Sequence, residues 1–335
     1  MSIIKFKKRI SFLSYAAVGG YEEGRGSLSQ KFDFIDNTDS FGQKTWELSE
    51  SEMARSAVNI ALGKANLSHT DLSFIIGGDL QNQCVASSIG AASFGIPFFG
   101  VYGACSTCTE SIALLSSVLS LCEGNPLGCA VTSSHNSAAE RQFRTPIEYG
   151  AQRNKSAQWT ATAAGAFILT GGECEKSPYV LEAMAGRIID GATKDAANMG
   201  PAMAFSAADT IISYFSKSNF TPADFDYIIT GDLGYSGSAV LCELLSDKLP
   251  MAAMRHIDCG TLLYDKEKQD SHSGASGCGT SASVLACHFL PLLKENKIKR
   301  ILFLSTGALM SPSSIMQGQN IFGTAPLIHI CADSV

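Results

Sequence analysis

The sequence predicts an α/β protein made of two duplicated halves, 1–172 and 173–335, and three internal matches carry that prediction. A helix-turn-strand unit occurs twice, as AVNIALGKANLSHTDLSFIIGGDL (57–80) and ADTIISYFSKSNFTPADFDYIITGDL (208–233), and each copy ends on Gly-Asp-Leu. GACSTCTESIALLSS (103–117) corresponds to GASGCGTSASVLACH (274–288), where small residues open a helix after a loop. GCAVTSSHNSAAE (128–140) corresponds to RILFLSTGALMSPSS (300–314), an apolar strand running into a Ser/Gly-rich loop.

Within the first match, apolar residues at helical spacing give way to a Ser- or Thr-plus-Asp turn. A short apolar strand, FII or YII, follows and stops at the glycine. Asp79 and Asp232 stand 153 residues apart (232 − 79), whereas Gly103 and Gly274 stand 171 apart (274 − 103). About 18 residues are therefore inserted in the second half (171 − 153), and IDCGTLLYDKEKQDSHS (257–273) is the candidate. Helices alternating with short strands predict mostly parallel pairing, and the two halves should meet along a shared face. Ligands of open α/β sheets gather at the carboxyl ends of strands. Asp79, Cys105, Asp232 and the loop around Cys278 all fall there.

Composition narrows the function. The 335 residues are 45% hydrophobic and 17% charged, enough to bury one large core or two fused ones. A net charge of −6 and a pI near 5.5 give no basic field for nucleic acid or anionic lipid. The eleven cysteines show no paired CxxC spacing beyond Cys105 and Cys108, so they read as free thiols of a reducing compartment. Met1 to Gly20 has the outline of a signal peptide, with a basic start and an apolar run from Ile10 to Val18. That run is short and interrupted by polar residues, so a folded cytoplasmic segment is expected. Leu80 to Thr109 carries no charge, yet Gly90, Gly95, Pro97, Gly100 and Gly103 break it, so no membrane span is expected.

A cysteine at a strand-to-helix turn in GACSTC, the duplicated halves and TATAAGAFILTG (160–171) resemble the thiolase and ketoacyl-synthase superfamily over essentially the whole chain. GGDLQNQ (77–83), FGVYGACST (99–107), TSSHNSAAERQFRTPIEYG (132–150) and ITGDLGYSGS (229–238) are similar, more narrowly, to the stage V sporulation protein AD family. The resemblance implies a thiolase-like fold: two βαβαβ-type halves with packed central mixed sheets and helices between and outside. It also implies a homodimer through the central sheet, and binding of dipicolinic acid with or without calcium. Further implications are a place beside the other subunits of a spore-membrane channel complex for dipicolinate, and peripheral association with the spore inner membrane.

Cys105 matches the superfamily's acyl-accepting nucleophile, and a helix N-terminus there favours a thiolate or a bound anion. Condensing chemistry also needs neutral or cationic donors for the developing oxyanion. Asp232 occupies the neighbourhood where the superfamily places one such histidine, which counts against that chemistry. His272 almost fits a second histidine position but sits in the inserted polar loop, where an exposed histidine is the commoner outcome. Cys278, between Gly277 and Gly279, is expected to line the pocket opposite Cys105, while Cys108 is read as packing.

His135 is expected at a strand's carboxyl end, followed by Arg141 and Arg144, either of which suits a carboxylate or an ordinary loop ion pair. Tyr102 or Phe143 would supply the pocket wall for a flat pyridine dicarboxylate. Asp79 and Asp232 offer hard oxygens for a calcium ion brought by the ligand, and they read equally well as caps of their own loops. No resident cofactor is expected. His69, His256, His288 and His329 read as structural or exposed. Three functions stay open: a ligand-binding protein, an acyl-thioester condensing or transferring enzyme using Cys105, and a scaffold subunit with a vestigial pocket.

Overall fold

The Ser/Thr-plus-Asp turns form the same capping device in both halves. Ser68 N–H donates to Asp71 Oδ2 at 2.7 Å, and Thr221 N–H donates to Asp224 Oδ2 at 2.7 Å. Each turn feeds the strand that ends on Gly-Asp-Leu. The computed structural model describes residues 1–143 and 153–333. Its first five main strands are β1 (Ile3–Gly19), β2 (Leu72–Gly78), β3 (Phe98–Gly100), β4 (Leu127–Ser134) and β5 (Ala163–Thr170). The second five are β6 (Tyr179–Met184), β7 (Tyr227–Thr230), β8 (His256–Asp258), β9 (Arg300–Leu304) and β10 (Leu327–Cys331).

These strands run in the order β8-β7-β9-β10-β6-β1-β5-β4-β2-β3, with Phe34–Ile35 added in parallel to β1. The order is a palindrome in which each strand of the first half mirrors the one five places later. The halves join edge to edge, β1 against β6, in one mixed sheet. The expected parallel pairing holds only for the three outer strands of each half, and the inner pairs are antiparallel. The reason is connectivity. Parallel neighbours need a crossover helix, and helices α2 (Val85–Ala92) and α3 (Thr107–Leu121) provide it for β2, β3 and β4.

The long β1 belongs to both halves. Its start pairs with β6, its remainder from Ser11 pairs with β5, and a register shift lies between. The apolar run Ile10–Val18 is thus a central strand rather than a separate apolar segment. The uncharged stretch 80–109 divides into α2, β3 and the start of α3. One helix among the described residues, Ala104–Leu121, is long and apolar enough to cross a membrane. It is a core helix: α3 packs against β2 and β4 of its own half and β10 of the other. Helix α7 (Cys278–Val284) packs against α3, β4 and β5.

The largest apolar core draws on both halves, with Ile112, Leu115, Phe167, Phe289 and Phe303 essentially sealed from solvent. Each contributes roughly 1.5–3 kcal/mol. Outside the sheet, α1 (Trp46–Lys64) covers the first half, and α5 (Met199–Lys217) with α6 (Gly234–Ser246) covers the second. All eleven cysteines are unpaired thiols.

Candidate functional site

The strand-to-helix turn Ala104–Ser106 presents Cys105 at the start of α3, and Ala104 takes a left-handed φ of 52° to make the turn. From the second half, the end of β7 brings Asp232 to the same place. The Asp232 carboxyl is close enough to the Cys105 thiol for its charge to act on it. Cys278, opening α7, completes the group, and its thiol donates to Ser133 O at 2.9 Å. Leu80, Cys105, Ala139 and Cys278 form a small apolar cluster with Phe143 of α4 (Asn136–Phe143) against it. Tyr102 stands half-exposed at the rim, its hydroxyl donating to Leu80 O at 3.0 Å, and Gln142 Nε2 donates to the same oxygen at 2.9 Å.

The electrostatics are those of a buried acid. Burial pushes the Cys105 thiol well above its ordinary range, and the Asp232 charge pushes it further. A neutral thiol is a weak nucleophile. Asp232 itself is pushed up to about 7 by burial, against the neighbouring Cys105 thiol and hydrogen bonds from Gly277 N–H (2.8 Å) and the Thr306 hydroxyl (2.8 Å). Asp258 adds its charge to that upward push and is itself raised by burial to about 6. In the first half burial raises both Asp79 and Glu50, and the Asp79 charge raises Glu50 further.

Asp79 proves to be a loop cap. Its Oδ1 accepts Gln81 N–H at 2.8 Å, and its Oδ2 accepts Ser87 N–H at 2.8 Å and the Ser87 hydroxyl at 2.6 Å. The two aspartates do not fit a calcium site. Their oxygens are already engaged by N–H and O–H donors, and burial favours their neutral forms. Among the described residues no three His, Cys, Asp or Glu side chains gather as a metal-binding group.

His135 is fully buried, with Nε2 against Asp39 O at 2.9 Å and its ring 5.2 Å from Trp46. Burial lowers its pKa and keeps it neutral. His135 does stand at the strand's carboxyl end, directly after β4, but its ring is packed in the core and offers no positive charge to a carboxylate. Arg141 is ion-paired with Glu47, and Arg144 lies outside the described residues. His272 adopts a φ of 47° and is held by Asn154 O at 2.6 Å and Asp270 at 2.8 Å. Cys108 is sealed in the core, as expected of a packing residue.

Four participants escaped the sequence reading. Thr306 carried a usable signal, since it ends the third duplicated strand. Gln142 lay in a segment read for its arginines. Asp258 was read only as part of the insertion, and Glu50 looks like any acid in the exposed first turns of a helix.

A family model described as stage V sporulation protein AD matches residues 1–331. Stage V sporulation protein AD of Bacillus subtilis (strain 168) is 38% identical over 318 residues, covering 94% of this chain and 92% of that protein. Among solved structures, a single-substitution variant of OleA from Xanthomonas campestris superposes with a TM-score of 0.64 at 14% identity, covering 98% of this chain and 97% of that one. The cerulenin-bound crystal structure of OleA gives 0.61 at 14%, covering 98% and 97%. At that identity the likeness speaks for the fold alone.

Proposed function

The chain belongs to the stage V sporulation protein AD family, with a thiolase-like fold and a role in sporulation, and on that premise we propose that it binds dipicolinic acid without catalysis and supports its uptake into the developing spore. The observation that carries this reading is the pairing of Cys105 with Asp232. Burial holds the thiol neutral, the Asp232 charge adds to that, and a carboxylate in that place repels a developing oxyanion, so the nucleophile position is poorly suited to acyl transfer. The same group suits an acidic ligand. Near pH 7 Asp232 is partly protonated and can donate a hydrogen bond to a carboxylate, while the first turn of α3 favours negative charge.

Phe143 and Tyr102 would wall the pyridine ring, with Cys105, Asp232 and Cys278 at the base and Arg144 as a further donor. Asp79 would support the site from behind through its loop. Calcium would travel with the ligand rather than on Asp79 or Asp232. The protein would work as a homodimer, pairing through β3, one of the sheet's two edge strands, where Phe99 is 58% exposed. The other channel subunits would bring it to the spore inner membrane.

Titration calorimetry with dipicolinate, alongside mass spectrometry after incubation with an acyl-thioester, tests the reading. Saturable heat without a Cys105 adduct is expected. Affinity should fall as pH rises through about 7, because ionised Asp232 repels the ligand's carboxylates, and Asp232→Asn should flatten that dependence. A covalent Cys105 adduct with no dipicolinate heat would overturn the reading in favour of acyl transfer. Neither heat nor adduct would leave a scaffold.

A further inference from the structure

The two Gly-Asp-Leu strand ends meet the same physical demand, since each is followed by a helix whose first N–H groups need acceptors. In the first half Asp79 answers it by folding onto its own loop, taking Gln81 N–H and Ser87 N–H of α2's first turn. In the second half a different residue does so. Asp258, at the end of β8, accepts Leu233 N–H on Oδ2 and Gly234 N–H on Oδ1, both at 2.9 Å, and takes the Thr230 hydroxyl at 2.6 Å.

Sheet register makes the exchange specific. Asp258 pairs beside Thr230 as Gly100 pairs beside Gly77. Gly77 and Thr230 are counterparts, each two residues before its aspartate, so Asp258 stands where the first half has a glycine with no side chain to offer. Relieved of its own loop, Asp232 reaches across to Gly277 N–H, Thr306 and Cys105.

We propose that Asp258 is the positioning residue of the site: by holding the backbone N–H groups that begin α6, it keeps the Asp232 carboxyl off its own loop and turned toward Cys105. The proposal rests on the reading of Asp232 as the ligand-facing acid. It predicts that without Asp258 the second half reverts to the first-half arrangement, with Asp232 swinging back onto the vacated N–H groups. Cys105 then keeps its burial but loses the neighbouring charge that adds to it, so its thiol ionises more readily.

Alkylation of the full chain by iodoacetamide at pH 8, followed by peptide mass spectrometry, reads this without any ligand. Cys108, one turn along α3 and sealed in the core, reports general opening of the fold. Asp258→Asn breaks the clamp, because an amide accepts through one atom only, and Asp258→Gly copies the first half outright. Both should raise the Cys105 rate by about tenfold or more, one pH unit of thiol ionisation, relative to Cys108. Adding Asp258→Asn to Asp232→Asn should change nothing further. An unchanged ratio, whether because neither rate moves or because both rise together, would show Asp258 to be structural only and overturn the proposal. If the wild-type protein binds no dipicolinate, the functional reading fails while this test still stands.

Discussion

The same tripeptide ends a strand in each half and does two different jobs. Asp79 is consumed by its own loop, whereas Asp232 is freed by Asp258 and faces Cys105 across the junction between the halves. The duplicated geometry supplied two equivalent carboxylates. On the proposed reading, a difference at one sheet position, glycine in the first half and aspartate in the second, separates a structural role from a ligand-facing one. A repeated motif therefore locates a site without saying which copy serves it; the hydrogen-bond partners decide that.

The comparison is broken most violently at the glycines just before the aspartates. A Cβ on Gly78 would lie 1.9 Å from Val101 O, whereas one on Gly231 meets nothing nearer than Ser305 Cα at 3.0 Å. Gly78→Ala should cost more than about 3 kcal/mol and Gly231→Ala about 1 kcal/mol, read as midpoints of chemical denaturation. Equal losses would show that the first-half strand end is no more tightly built than the second.

Next in size is the response to pH. Glu23 (about 7), Asp232 (about 7) and Asp258 (about 6) are raised by burial above their unfolded values. Between pH 4 and 7 these three groups therefore hold more protons in the folded chain than in the unfolded one, whereas His135, His256, His288 and His329, lowered by burial, hold fewer below about pH 6.5. The contribution of the three acids is complete below about pH 4 and is lost as pH rises toward 7. Above the range where the histidines titrate, thermal melts should show the midpoint falling by about 2 °C or more from pH 6.5 to 8. Asp232→Asn should reduce that fall, while a midpoint rising over this range would contradict the burial of these acids as charge-averse groups.

Much of this was legible in the residues. The duplication, the thiol at the helix start and the Ser68–Asp71 and Thr221–Asp224 turns follow from local pattern, which the sequence records directly. The antiparallel inner strands were not, because β1 pairs with β5 and β6 through long-range register that no window of residues contains. His135 was placed correctly at a strand end but misled for a related reason: whether a side chain there faces a pocket or the core depends on packing from Trp46 and Asp39, far away in sequence. Asp258 was hidden by its reading as part of an insertion, although its counterpart, Gly100, comes from strand pairing alone.

The most direct test sets Asp79→Asn beside Asp232→Asn, measuring thermal stability and dipicolinate affinity in both. At position 79 each oxygen accepts a backbone N–H, so an amide must turn its own N–H groups on one of them, at a cost of about 1–2 kcal/mol. At position 232 the amide oxygen can keep Gly277 N–H, and its nitrogen can donate to the Thr306 hydroxyl, which reverses freely. The account predicts that Asp79→Asn loses stability and keeps its affinity for dipicolinate, while Asp232→Asn keeps its stability and loses the pH dependence of binding. Equal effects of the two substitutions on both measurements would contradict it.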